Sequence, residues 1–285
     1  MPKETLKVAA TQLVVHQDIE ANADKIIANL EQCAADGVEV VLYHEGVLFG
    51  YTFDMDFEAA FDQSRIDRAE ERIAKKCADL GIAAIVGSTH LEDGERFNSS
   101  TVIDQHGEII CRYGKIHLAG EPWCRGGKFL PVVEIFGVQC CFLICHDIRY
   151  PELVRLPAAM GAKVCFMANC ESSIVHEHKL LAYRSMPISR ATENGIYLVM
   201  ANAPAYKDDP DCSSSSHGNS KIIEPDGNVL VEAGWFTEET VTWDLDLGEA
   251  KGHIAWRSYT DDTPLKEWLT DGMKIVEGGS PIGPE

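Results

Sequence analysis

The chain has 285 residues, 45% of them hydrophobic, enough to bury a sizeable core in one large α/β domain or two small ones. Its 25 Lys and Arg against 45 Asp and Glu leave a net charge of −20, which disfavours nucleic acid and anionic membrane surfaces as partners. No apolar stretch follows Met1 and no run of about 18 apolar residues occurs, so no secretory leader and no membrane span are expected, and the cytoplasm is the expected compartment.

In chain order, Lys7 to Gln12 reads as a first strand. Asp18 can cap a helix running to about Asp36, with Ile19, Ile26, Ile27, Leu30 and Cys33 on one face, and Gly37 ends it. Val38 to Tyr43 is a buried strand that delivers His44-Glu45-Gly46 at its C-terminal end. Ile66 to Leu80 is a second amphipathic helix closed by Gly81, and Ile82 to Leu91 is the next strand. Phe97 to Ile103 and Glu108 to Arg112 read as a hairpin turning at Asp104 to Gly107. A loop, Gly114 to Leu130, leads to the strand pair Val132 to Phe136 and Val138 to Ile144. Then come a helix from Pro151 to Gly161, a strand from Val164 to Ala168, a helix from Glu177 to Asn194 and a strand from Ile196 to Asn202. Lys221 to Pro225, Val229 to Ala233 and Thr240 to Leu245 read as a late meander around the turn Pro225-Asp226-Gly227. The end, from Pro264, carries one short helix and a Gly/Pro-rich tail. Helices alternating with strands, with antiparallel hairpins inserted, predict a layered α/β domain with mixed sheets.

The ten cysteines make no CxxC pair and no cluster with metal-ligand spacing, so free thiols in a reducing compartment are expected. One of them stands apart. Cys145 lies at a sharp corner between the apolar run Val138 to Ile144 and a helix opened by Pro151 and Glu152. Such a corner exposes a side chain at a sheet edge among free backbone N–H groups, which favour a thiolate. Lys115 follows a hairpin strand and could donate to a developing oxyanion; Glu45 ends another strand and could take a thiol proton. Each alone is more often a packing thiol, a solvated lysine or a helix or loop cap.

Together these segments resemble the nitrilase superfamily of carbon–nitrogen hydrolases. The family's Glu–Lys–Cys triad has its pieces here in order. They are Val40-Val41-Leu42-Tyr43-His44-Glu45, Lys115-Ile116-His117-Leu118, and Cys145-His146-Asp147-Ile148-Arg149-Tyr150-Pro151-Glu152. Flanking matches are Val8 to Gln12, Arg190 to Asn194 and Gly218-Asn219-Ser220. The resemblance covers roughly residues 6 to 247. It implies a four-layer α-β-β-α sandwich, with a hydrolase domain over 1–247 and an extension over 248–285 that packs at an oligomer interface. It also implies Glu45, Lys115 and Cys145 as catalytic residues, Glu121 as a second glutamate orienting Lys115 or the substrate amide, and the His146 backbone as an oxyanion donor. It implies no metal and no organic cofactor. The family usually has Pro before its catalytic Glu, where this chain has His44, which could instead line the pocket.

The resemblance also bears on substrate. Nitrile-cleaving members usually carry Cys-Trp-Glu, whereas Cys145-His146-Asp147 is similar to the amidase and carbamoylase branches. Members handling carboxylate-bearing substrates commonly carry Arg four residues after the nucleophile, as Arg149 stands here, and a guanidinium fork suits a carboxylate. The expectation is therefore a small linear amide bearing a carboxylate, such as the ω-amide of a dicarboxylic acid. The alternatives are N-carbamoyl amino acids or amines, aliphatic amides and nitriles. A bracing pair of Arg149 with Glu152 or Asp147 is the competing structural role. Trp123, Arg125 and Phe129 could wall the pocket, and Asn169, at a strand end, could touch substrate. His176, His178 and His217 form no ligand pattern. An acyl transferase or a non-catalytic binding module is the competing class. A homodimer or higher homo-oligomer is expected, with Trp256, Tyr259 and Trp268 as apolar anchors.

Overall fold

A computed structural model describes residues 3–51, 61–171, 177–205 and 216–277. His176, Ser213 to Ser215, the side chain of His178 and the Gly/Pro-rich tail from 278 lie outside the described residues.

The twelve described strands form two six-stranded sheets of the same design. In the first, β1 (Thr5–Gln12), β2 (Val40–Tyr43) and β3 (Ala83–Glu92) run parallel. The hairpin strands β4 (Glu95–Ile103) and β5 (Ile109–Gly114) extend one side antiparallel, and β12 (Glu239–Asp246) closes the other side antiparallel to β1. In the second, β7 (Val138–Ile144), β8 (Val164–Asn169) and β9 (Tyr197–Asn202) run parallel. Here β6 (Val133–Ile135) flanks β7, and β10 (Lys221–Ile223) and β11 (Val229–Glu232) extend the β9 side, all antiparallel. The expected three-strand meander is therefore two strands, because β12 crosses to the other sheet. Its alternation buries Val241 and Leu245 between the sheets and completes the β1 edge over a sequence separation no local signal carries.

Helices cover the outer faces. α1 (Ile19–Ala35) starts where expected because the Asp18 carboxylate accepts the Ala21 N–H at 3.1 Å. α2 (Gln63–Leu80) begins three residues before the apolar run, capped by Asp62, and ends on Gly81 in the left-handed conformation. α3 (Glu152–Ala159) and α4 (Glu177–Thr192) belong to the second sheet. The core consists of three apolar slabs. One lies between α1–α2 and the first sheet, one between the two sheets, and one between the second sheet and α3–α4. Three slabs make four layers, the α-β-β-α sandwich.

α5 (His253–Thr260) and α6 (Pro264–Glu277) follow. α5 packs on α3 of its own chain, burying Ala255, with Arg155 donating to Ser258 Oγ at 3.2 Å. Trp256 and Trp268 remain exposed. No helix among the described residues is long and apolar enough to cross a membrane.

Candidate active site

The C-terminal ends of β2, β5, β7 and β8 gather at one edge of the sandwich, where open α/β sheets bind ligands. Glu45, Lys115 and Cys145 stand just past three of them. All three are buried, and they line one cavity of about 240 Å³ with Tyr51, Ala119, Glu121, His146, Arg149, Cys170, Glu171 and Tyr183. That volume is below the roughly 300–1,000 Å³ of pockets for drug-sized ligands, so it suits a small substrate.

Cys145 opens a single 3-10 turn, Cys145–Arg149, with φ +46°, the left-handed region that a side chain enters at a cost of about 1–3 kcal/mol. The surroundings hold it there. The Asp147 carboxylate accepts from Tyr113 Oη and the His117 N–H, both at 2.8 Å, and from the Ile144 N–H at 3.1 Å. This ties the elbow to β5 and to the loop carrying Lys115. From the other side, Arg190 donates Nε and Nη2 to the Ile148 carbonyl at 3.1 and 2.8 Å.

Glu45 is fixed on both carboxylate oxygens. Oε1 accepts from Asn98 Nδ2 at 2.7 Å and Lys115 Nζ at 2.9 Å; Oε2 accepts from the Cys170 N–H at 3.1 Å. Its backbone corner lies against Gly87, where a side chain would collide with the His44 carbonyl and the Gly46 nitrogen. Lys115 Nζ also contacts Glu121, whose other oxygen accepts the Ala119 N–H. Glu121 thus pairs with the lysine. His44 does not line the cavity. Its ring nitrogens face the carbonyls of Glu45 and Leu13, both at 3.0 Å, and it braces the corner where Pro would be rigid.

The charges pull on one another. Burial pushes the Glu45 carboxyl above its ordinary value, although Lys115 draws it down. Burial would discharge Lys115, but Glu45, Cys145 and Glu121 outweigh it and keep the ammonium. Burial likewise presses the Glu121 carboxyl up, and Lys115 prevails and holds it below the carboxylate range. Burial and then Glu45 push the Cys145 thiol up, against Lys115.

Of the residues expected at the substrate, Arg149 is exposed at the cavity and has no hydrogen bond or ion pair among the described residues. Glu152 and Asp147 do not engage it. Trp123 is not a lining residue; it packs behind Tyr51, ring centroids 6.0 Å apart, in a cluster with Phe49 and Phe61. Asn169 is fully buried and absent from the lining. Its carbonyl accepts the Glu45 N–H at 3.3 Å, so it joins the two sheets rather than facing the cavity. Phe129 is 67% exposed and lines a different cavity, with His90 and Arg112. Arg125 points outward to Glu95.

Sequence reasoning missed four groups. Asn98 lies mid-strand and Tyr183 mid-helix, with no motif to mark them; Tyr51 follows the Glu45 corner. Glu171 was findable, since it lies two residues past the end of β8, on the edge that supplied the others. Its carboxylate oxygen lies 3.9 Å from Cys145 Sγ, and Tyr183 Oη lies 3.8 Å from the same sulfur. Among the described residues no group of three His, Cys, Asp or Glu is arranged to hold a metal ion.

A family model described as carbon-nitrogen hydrolase matches residues 7–253. The chain belongs to this family. A Staphylococcus lugdunensis protein named "Hydrolase in agr operon" is 31% identical over 223 residues, 74% of this chain and 89% of that one. The 2-oxoglutaramate amidase of Bacillus subtilis (strain 168) is 30% identical over 187 residues, 64% of this chain and 69% of its own. An amidase of the nitrilase superfamily from Nesterenkonia AN1 has a similar structure, with a TM-score of 0.76 at 25% identity, covering 89% of this chain and 97% of that one. A further structure of that amidase shows the acetamide moiety of fluoroacetamide added covalently at its active-site cysteine. The four-layer sandwich is that of the nitrilase superfamily, and the chain is a carbon–nitrogen hydrolase.

Proposed function

We propose that the protein is an amidase that cleaves a small linear amide through a thioester on Cys145, and that it favours an amide carrying a carboxylate. The reading is carried by one observation: Cys145, Lys115 and Glu45 share a small cavity with Arg149. Glu45 takes the proton of Cys145, and the thiolate attacks the amide carbon. The Lys115 ammonium and the backbone N–H of His146, in the first turn of the elbow, stabilise the oxyanion. Glu45 returns the proton to the nitrogen as the C–N bond breaks, ammonia leaves, and an acyl thioester remains. Glu45 then takes a proton from water, whose oxygen attacks the thioester; the acid leaves and the thiol is restored. Glu121 keeps Lys115 charged and aimed. The acetamide adduct in the Nesterenkonia amidase supports the nucleophile, and the 2-oxoglutaramate amidase of Bacillus subtilis supports a carboxylate on the substrate.

The test compares ammonia release from succinamate and from pentanamide, its neutral counterpart. Wild type should favour succinamate by about 10–100-fold, the worth of a hydrogen-bonded charge pair, and Arg149→Ala should remove that preference. Cys145→Ala, with folding intact, should abolish both activities. Turnover in Cys145→Ala near the wild-type rate would overturn the mechanism, and an unchanged preference in Arg149→Ala would make that residue structural.

The extension over 248–285 belongs, in this reading, to a homodimer interface built from α3, α5 and α6. The nine cysteines among the described residues are free, which favours a reducing compartment such as the cytoplasm.

A further inference from the structure

The mechanism above gives no work to Glu171 and Tyr183, yet both stand within 4 Å of the nucleophilic sulfur. Glu171 Oε2 is 3.9 Å and Tyr183 Oη 3.8 Å from Cys145 Sγ, and both line the cavity. Glu45, by contrast, is already committed to Asn98, Lys115 and the Cys170 N–H. The base and the oxyanion donor sit together, and Glu171 is a further carboxylate with its own support. Its backbone N–H donates to Asn202 Oδ1 at 3.3 Å. That amide is itself locked, accepting Ser216 Oγ at 2.9 Å and donating to the Gly218 carbonyl at 2.7 Å. Asn202 is the last residue of β9, so a strand end holds Glu171 at the sulfur.

From this geometry we infer that Glu171, with Tyr183, is a specificity residue that accepts a hydrogen bond from an N–H donor next to the scissile carbonyl of the substrate. The inference rests on the amidase reading and narrows its substrate. In a productive complex the carbonyl carbon stands about 3–3.5 Å from Sγ. A donor one or two bonds from that carbon can then reach Glu171 Oε2 at about 2.7–3.2 Å. Besides the scissile nitrogen, which every amide carries, two chemistries place a nitrogen there. One is an ammonium on the α-carbon of an amino-acid amide; the other is the inner N–H of a carbamoyl group. Either makes a charge-assisted bond to a carboxylate, stronger than a neutral pair. Arg149, at the outer wall, remains available to a carboxylate at the far end of the same molecule. Without substrate the thiol itself faces Glu171, so entry of a donor exchanges one acidic hydrogen for another and frees the sulfur.

Matched pairs test this. N-carbamoylglycine and succinamate differ only by N–H against CH₂ beside the carbonyl. Alaninamide and isobutyramide differ by ammonium against methyl. The reading is the ratio of kcat/KM within each pair, compared between wild type and Glu171→Gln, so that intrinsic reactivity cancels. At least one ratio should fall by about 10–100-fold on substitution, the effect of losing a hydrogen bond to a charged acceptor. The pair that responds identifies the donor as ureido N–H or ammonium. If both ratios stay within about threefold, the inference is overturned, including when Glu171→Gln slows every compound alike, which would assign the residue to the leaving nitrogen, to the thiol or to the fold. Glu171→Asp keeps the charge on a shorter arm and supplies the same ratios should the Gln variant not fold. Loss of the preference for succinamate over pentanamide bears on Arg149 alone. Absence of cleavage of every amide would overturn the amidase reading and this inference with it.

Discussion

At the scale of single residues, burial and neighbouring charges shift the groups of the site. Glu45 is buried and its carboxyl is held above the ordinary range. A base whose value is raised becomes active only as pH passes that higher value. The acid limb of kcat/KM should therefore have its midpoint above the roughly 4.3 of a free glutamate. Lys115 is held protonated well above an ordinary lysine by Glu45, Cys145 and Glu121, against burial. Loss of the ammonium should thus not shape the profile below about pH 10. In Glu45→Gln, kcat should fall by about 10²–10⁴ and the acid limb should disappear. A pH–rate profile checks both. A limb that persists unchanged in Glu45→Gln would mean that another carboxylate, Glu171 first among them, takes the thiol proton. Glu45, Lys115 and Cys145 could be named because each follows a strand in a short run that resembles the family's, and Glu121 through that resemblance alone. The sequence could not separate lining from backing. Trp123 and Asn169 each lie two residues from Glu121 and Glu171, but one packs into an aromatic cluster and the other meets the Glu45 corner through its backbone carbonyl.

At the scale of elements, the elbow depends on one buried carboxylate. Asp147 accepts three hydrogen bonds that bind β5, the Lys115 loop and β7 to the turn carrying Cys145. Burial pushes its carboxyl upward, against these three bonds. Asp147→Asn keeps the shape but offers one acceptor oxygen and an NH₂ that faces donors. It should cost about 1–3 kcal/mol in a urea melt, the penalty of a buried donor left unmatched, and should lower kcat as Lys115 and Cys145 lose their shared anchor. Full stability with reduced turnover would place the role in alignment alone; no change in either would remove the brace. The elements themselves were largely legible where a local signal existed. Asp18 caps α1 and Gly81 ends α2 as read, and the apolar run 138–144 is β7 to the residue. The start of α2 was set by Asp62 rather than by the first apolar position, because a cap outranks periodicity at a helix end. The left-handed Cys145 had no signal beyond the corner, since positive φ in a cysteine is imposed by its surroundings.

For the whole molecule, alternation of helix and strand gave the layered class, but pairing was out of reach. β12 joins β1 across more than 200 residues, and only the completed sandwich shows that it leaves its hairpin neighbours. The same limit applies to assembly, where the structure adds an argument. Leu156 and Met160 at the end of α3, Ile254 and Trp256 on α5, and Leu265, Trp268 and Leu269 on α6 are all exposed, Trp256 at 58% and Trp268 at 59%. Monomers rarely leave so many large apolar side chains on adjoining helices, and tryptophans are favoured anchors of interfaces. We expect light scattering to give twice the 31.4 kDa of one chain. The double variant Trp256→Glu, Trp268→Glu should give a monomer that keeps its fold, because Ala255 and Ser258 still dock α5 on α3. Charge sets the sign of a second reading. Each chain carries −20, so two copies repel over a Debye length of about 10 Å at 0.1 M salt, while the apolar contact is little screened. Raising salt from low ionic strength should therefore tighten the dimer. A dimer that loosens with salt would be held by ion pairs elsewhere on the surface, and one that survives both glutamates would not use this face.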